Sequence, residues 1–175
     1  SNKKTKQEEA PVSENVEAAD FYKTVNSTSK LSVKNPLLLD IENPNLYRLL
    51  TQIKQKGKII DHYETPFGIR TIQFDAEKGF FLNGKSVKLK GTNNHQDHAG
   101  IGTALPDELQ YYRIKKLKEM GSNAYRCSHH PPTPELLKAC DELGMLVIDE
   151  TRLMGINDYH LNDLKRMIER DRNHP

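Results

Sequence analysis

The hydrophobic pattern changes character near residue 75. Residues 1 to about 30 are polar, with Lys3-Lys4, Glu8-Glu9 and a Ser/Thr/Asn cluster at Asn26 to Ser29. That predicts a frayed start with one or two edge strands. Leu37-Leu38-Leu39 then precedes the turn Glu42-Asn43-Pro44-Asn45. Leu46 to Ile53 and Ile59 to Glu64 read as strands on either side of the turn Lys56-Gly57-Lys58, and Ile69, Ile72 and Phe74 mark another. Short strands with turns at short intervals predict an antiparallel β-sandwich. About 75 residues is thin for a whole one of about 100, so part of a sandwich is expected.

Beyond Asp75 the reading is a hairpin, then alternating strands and helices. Phe80 to Val87 reads as the hairpin, because Asn83-Gly84 supplies the two positive-φ residues of a type I′ turn. Val87 to Lys90 is expected to continue as a strand into Gly91-Thr92-Asn93-Asn94-His95. Pro106-Asp107-Glu108 opens a helix, with Pro in its first turn and acids at its positive end. Leu109, Tyr112, Leu117 and Met120 share its apolar face, and Gly121 stops it. A short strand covers Asn123 to Cys127. Thr133-Pro134-Glu135 starts a second helix with a capping hydroxyl, a Pro and an acid. Its apolar face is Leu136, Leu137, Cys140 and Leu143, and Gly144 ends it. Met145 to Ile148 is a continuous apolar run, as in a parallel strand buried on both faces. A third helix, capped by Asn157 or Asp158, turns Leu161, Leu164 and Ile168 inward. It runs into Arg170-Asp171-Arg172-Asn173-His174-Pro175, whose last three residues are expected to fray.

Three β-then-α units predict a parallel sheet, and sites in such sheets form beyond the C-terminal ends of the strands. The polar residues fall there. His95, Asp97 and His98 follow the first strand, Arg126 to His130 lie within and after the second, and Asp149-Glu150 follow the third. An Arg inside an apolar strand and two His at its exit are costly to bury without partners. Three strand exits converging on one rim point to a site more strongly than any single motif. His-x-Asp-His at His95, Asp97 and His98, with His129 and His130, also admits a zinc site, although the remaining ligands are not evident. A surface-loop reading of these His residues stays open.

Composition narrows the classes. The chain has 175 residues, 35% hydrophobic and 29% charged, with a net charge of +2. That gives no electrostatic case for nucleic acid, and no apolar run approaches a membrane span. No secretory signal is visible and the chain does not begin with Met, so the compartment is left open. Cys127 and Cys140 lack metal spacing and read as two buried free thiols, with a disulfide the lesser reading.

Six stretches, in order and spacing, resemble one family: Gly79-Phe80-Phe81-Leu82-Asn83-Gly84-Lys85, Lys90 to His95, Asn123 to Pro131, Cys140 to Gly144, Val147 to Glu150, and Arg170 to Pro175. They are similar to glycoside hydrolase family 2, the β-galactosidase and β-glucuronidase family. Phe67-Gly68-Ile69-Arg70 resembles that family's exit from its immunoglobulin-like domain, and the likeness covers roughly residues 36 to 175. The family is built as a jelly-roll domain, an immunoglobulin-like sandwich and a (β/α)₈ barrel. The resemblance therefore implies a partial immunoglobulin-like β-sandwich over residues 1–75 and an incomplete (β/α)₈ TIM barrel segment of three βα units over 76–175. The parent is expected to hydrolyse terminal β-galactoside or related β-glycoside bonds with retention, on a carbohydrate substrate and without a cofactor. A non-catalytic carbohydrate-binding or scaffold module is the rival reading.

The resemblance also assigns roles. His95 and His129 contact the sugar, and Arg126 pairs with the nucleophile carboxylate. Asp97 is a candidate sugar-hydroxyl acceptor. Glu150 is either a substrate contact or the ion-pair partner of Arg126. His130, where relatives usually have Tyr, is structural. The family's acid/base Glu follows a fourth strand and the nucleophile comes later, so neither catalytic carboxylate is expected in this chain, which is expected to be inactive alone. With the nucleophile missing, Arg126 needs water or a substitute acid. Where metal-dependent members carry a magnesium-binding Glu-x-His, this chain has Met154-Gly155-Ile156, which offers no side-chain oxygen or nitrogen to a hard cation. Open barrel edges are expected to favour oligomers.

Overall fold

The computed structural model describes residues 12–15 and 24–175. The chain divides into two compact units, residues 1–36 and 37–175. The described part of the first has neither helix nor strand. The remainder of the expected edge-strand region lies outside the described residues. No helix among the described residues is long and apolar enough to cross a membrane.

The second unit opens with a long hairpin of β1 (Leu46–Gln55) and β2 (Lys58–Gly68), antiparallel, with Leu46 opposite Gly68 and a bulge at Ile53/Lys54. Lys56 and Gly57 take φ of 50° and 79°, the left-handed pair that a two-residue hairpin turn needs. Tyr47 and Phe67 stack across the ladder at 5.6 Å between ring centroids. Beyond that pair little is covered: Leu49, Leu50, Ile53, Ile59, Ile60 and Tyr63 are all exposed.

Three short antiparallel strands follow, β3 (Ile72–Asp75), β4 (Gly79–Leu82) and β5 (Lys85–Ser86). The strand expected to extend the sandwich, Ile72 to Phe74, pairs instead with β4 across a turn at Asp75. Asn83 (φ 52°) and Gly84 (φ 74°) make the expected type I′ turn. Asn83 does more than turn the chain. Its Nδ2 donates to Leu39 O at 2.8 Å, and its Oδ1 accepts from Thr71 N–H at 2.9 Å.

The parallel sheet is β6 (Gly91–Asn94), β7 (Ala124–Cys127) and β8 (Leu146–Ile148), in that order. Gly91 sits so close to β7 that a Cβ there would lie 2.3 Å from Ala124 O, so only glycine permits this pairing. Val87 to Lys90 is not a strand. The Asn123 side chain satisfies that backbone instead, accepting from Lys90 N–H at 2.7 Å and donating to Lys88 O at 3.0 Å.

Two helices cover one face of the sheet. α2 (Pro134–Leu143) begins as expected, the Thr133 Oγ1 accepting from Leu136 N–H at 3.3 Å, and it ends at Gly144 in the left-handed conformation. α1 (Asp107–Glu119) carries acids in its first turn, but the buried stripe is Gln110 and Ile114, with Leu117 partly covered. Tyr112 and Met120, expected on the apolar face, are exposed. Ile114, absent from the expected face, meets Tyr125 and Cys127 from β7 and Leu136, Ala139 and Cys140 from α2, with Met145, in the core.

The third βα unit departs furthest from expectation. β8 is an edge strand, so Ile148 stays about half exposed at 52% rather than buried on both faces. α3 (Asp158–Asp171) is capped by Asn157, whose Oδ1 accepts from His160 N–H at 3.1 Å. Leu161, Leu164 and Ile168, expected to point inward, are exposed because no element packs over them. The expected fraying of Asn173-His174-Pro175 is also corrected. His174 Nδ1 is 2.5 Å from Asp141 Oδ2 on α2, and Pro175 packs against Gly68 and its neighbourhood. Cys127 and Cys140 are buried free thiols.

Candidate functional site

β6, β7 and β8 run parallel, so their C-terminal ends open on the same edge of the sheet. Arg126 is the third residue of β7. Alternation along the strand points Tyr125 and Cys127 into the helix-covered core and Arg126 to the other side. A guanidinium left alone there would be costly, and it is not alone. Arg126 Nε pairs with Glu150 Oε1, at the exit of β8, and Nη1 donates to Asn93 Oδ1 on β6 at 3.3 Å. The substitute acid for Arg126 is therefore Glu150.

Glu150 bridges two strand exits. Its other oxygen, Oε2, lies 2.8 Å from His129 Nδ1. The His129 bond first, then the Arg126 charge, hold the Glu150 carboxyl below the usual range against the cost of its partial burial. A carboxylate with both oxygens engaged and its proton disfavoured is suited to holding Arg126 and His129 in place, not to giving up a proton.

His95 follows β6 and completes the cluster. Its ring meets that of His129 edge to face, with centroids 6.1 Å apart. Its backbone is fixed from behind by Arg113 of α1, which donates through Nη2 to His95 O at 2.6 Å and through Nη1 to Gln96 O at 3.3 Å. Both imidazoles are exposed, which leaves polar ring edges open to solvent. His95 can offer one ring nitrogen as donor and the other as acceptor to a sugar's vicinal hydroxyls, and His129, with Nδ1 on Glu150, offers Nε2.

Of the five residues the sequence singled out, the structure brings together His95, Arg126, His129 and Glu150. Asp97 stands apart, exposed on the loop after His95 and without a hydrogen-bond or ion-pair partner among the described residues. His98 uses its ring against its own neighbour, Ala99 O, at 3.1 Å. His130 is buried, and burial pushes its imidazole below the usual range, as suits a structural ring. No three His, Cys, Asp or Glu side chains gather as a metal would require among the described residues. Met154 and Ile156 are almost fully exposed. Sequence reasoning missed Arg113 and Asn93. The only signal for Arg113 was its place on a helix packed behind the strand exits, and for Asn93 its place opposite Arg126 in a parallel register.

Comparison with known proteins places this geometry. Residues 75–175 match the sequence model described as the TIM barrel domain of glycosyl hydrolases family 2, and residues 1–70 match a second model of glycosyl hydrolases family 2. The chain belongs to glycosyl hydrolase family 2. A β-galactosidase of Bacteroides ovatus is 43% identical over 169 residues, covering 90% of this chain and 20% of that protein. A protein of Formosa agariphila described as a putative β-glucuronidase is 38% identical over 167 residues, again 90% of this chain and 20% of the relative. Among solved structures, a family 2 member from Bacteroides cellulosilyticus superposes with a TM-score of 0.74 at 47% identity, over 80% of this chain and 20% of that one. The β-glucuronidase of Parabacteroides merdae superposes with a TM-score of 0.73 at 34% identity, over 82% and 19%. The chain spans about a fifth of the length of these relatives.

Proposed function

We propose that this chain supplies one wall of the sugar site of a retaining β-glycoside hydrolase acting on terminal β-galactoside-like bonds. The observation that carries the reading is Glu150, which gathers Arg126 and His129 at one strand end, beside His95. The family supports a β-glycosidase, and named relatives are β-galactosidases and β-glucuronidases. The galactoside preference rests on the Arg126-Cys127-Ser128-His129 stretch.

In this mechanism the chain's residues bind and orient. His95 and His129 hold sugar hydroxyls. Arg126 keeps N–H groups on Nη1 and Nη2 beyond those bound to Glu150 and Asn93, and these are available to an additional carboxylate. Retention needs two carboxyl groups about 5–5.5 Å apart, one of them free to attack carbon. Glu150 is committed on both oxygens and fills neither role. On this reading the 175-residue chain is inactive by itself, the two reacting carboxylates belonging to another part of the enzyme.

The test is a titration of the chain with galactose and with glucuronate, followed by NMR of the His rings and Arg side chains. Galactose is expected to shift His95, Arg126 and His129 at millimolar concentration, with no turnover of a fluorogenic β-galactoside. Sugars that leave all three resonances in place would sink the binding role. Hydrolysis above the buffer rate would sink the claim that the reacting carboxylates are elsewhere.

A further inference from the structure

Past β6 the backbone is steered by a side chain from α1. Asn94 O accepts the N–H of Ser128 at 3.0 Å, the last link between β6 and the exit of β7. Two residues further on, the backbone bends at Gln96. The carbonyls on either side of that bend have no strand partner and need a donor. One guanidinium serves both: Arg113 Nη2 donates to His95 O at 2.6 Å and Nη1 to Gln96 O at 3.3 Å. Successive carbonyls of an extended strand point to opposite sides, so a fork that takes both of them fixes the bend.

Arg113 is a rigid place from which to hold that bend. It is half-buried, the next residue of α1 is Ile114 in the core, and Gln110, one turn earlier, is buried as well. α1 cannot turn about its axis without opening that packing, so the guanidinium stays where the loop needs it. Beyond Gln96 the loop closes on itself. His98 N–H donates to Gly102 O at 2.8 Å, and Gly102 N–H donates to His98 O at 2.9 Å. Residues 97–104 are all exposed. Among the described residues, the Arg113 fork makes the only hydrogen bonds that join residues 95–105 to the rest of the fold.

We propose that Arg113 is a positioning residue of the sugar site, whose fork fixes where residues 95–105 leave β6 and so where the His95 ring stands beside His129. The consequence for sugar binding rests on the function proposed above, while the placement of His95 does not. Arg113 acts through His95 and does not itself reach the sugar. Arg126, His129 and Glu150 hold one another across the ends of β7 and β8. Loss of the fork is therefore expected to displace the His95 ring and to leave the Glu150 cluster as it is.

The experiment is NMR of the 175-residue chain, wild type against Arg113→Met, which keeps an unbranched stem and removes every donor. In the wild type the ring protons of His95 and His129 are expected to show a mutual NOE, as their edge-to-face contact requires. In Arg113→Met that NOE is expected to be lost and the Asp97 and His98 amides to shift, while the Glu150 carboxyl titrates as in the wild type. Galactose is expected to bind about tenfold more weakly, the size of effect that withdrawal of one hydrogen-bonding group gives. Arg113→Lys has a stem of similar length and still carries donors, so it should recover part of the NOE and of the affinity, a rescue that loss of α1 packing would not produce. Should Arg113→Met fail to fold, Arg113→Lys decides, because a point donor replaces the fork and a weakened NOE with weaker galactose binding is expected. An NOE and loop amides unmoved in the folded variant would overturn the proposal, as would Arg113→Lys and Arg113→Met chains that behave alike. A lost NOE with galactose bound as tightly as before would remove Arg113 from the sugar site. Loss of the NOE in Arg113→Met, with no galactose binding even by the wild type, would sink the sugar reading alone.

Discussion

At the scale of single residues, the site is organised by one acid shared between a guanidinium and an imidazole. Removing either partner should therefore be visible at the acid. His129→Ala deletes the larger of the influences that lower Glu150, and Arg126→Ala deletes the next. Each is expected to move the Glu150 carboxyl titration upward, measured by carboxyl NMR between pH 2 and 7. Equal titration curves in wild type and both variants would show that the ion pairs are not formed in solution. The cost of an Arg inside an apolar strand was legible in the sequence, because an unpaired guanidinium has so few places to go. Its partner was only one of several candidates, since the sequence does not show which acid a parallel register brings opposite. Arg113 was not legible at all. It acts on the carbonyl oxygens of His95 and Gln96, and backbone acceptors are the same at every position.

At the scale of elements, local signals located starts and stops, and tertiary packing decided the faces. The Asn83-Gly84 turn, the Thr133 cap and the Gly144 stop stand where the sequence put them, because each depends on the conformational preference of one or two residues. Burial depends on what lies opposite. The Leu161, Leu164 and Ile168 stripe of α3 has the spacing of a buried face but has nothing over it. Two substitutions separate these effects. Thr133→Ala removes a cap and is expected to lower the unfolding free energy by about 1 kcal/mol, read from urea denaturation. Gly91→Ala drives a methyl into Ala124 O, so β6 must part from β7 or shift. A loss of more than about 2 kcal/mol is expected, together with loss of protection of the β7 amides in hydrogen exchange. A chain that tolerates Gly91→Ala without either change does not have this parallel register.

At the scale of the whole molecule, charge and exposed apolar surface set the conditions under which the chain stays folded and alone. Asp149 and His174 are both raised, the first by burial and the second mainly by its bond to Asp141. Raised groups stabilise at low pH. The Asp149 contribution is full below 3.8 and lost as pH rises to about 6. The His174 contribution is full below 6.5 and lost above it. Glu150 is depressed, so its contribution is present above 4.5 and lost as pH falls. The thermal midpoint is expected to be highest between about pH 4.5 and 6.5 and to decline toward pH 8, and His174→Asn should flatten that decline. A closed (β/α)₈ barrel joins its first strand to its eighth, whereas β6-β7-β8 is a sheet of three strands. Ile148 on its edge strand, the bare stripe of α3 and the apolar residues of the β1-β2 hairpin are open to water together. Monomeric soluble proteins seldom expose so much apolar surface, and free strand edges pair with whatever strand they meet. The 175-residue chain is expected to self-associate at micromolar concentration. Leu164→Glu should shift its light-scattering mass toward the monomer while changing the unfolding free energy by no more than about 0.5 kcal/mol, as at any exposed position. A wild-type chain that scatters as a compact monomer would mean that these faces are covered in solution by a rearrangement of α3 and the hairpin. A hydrogen-exchange pattern with α3 protected along Leu161, Leu164 and Ile168 would locate that rearrangement.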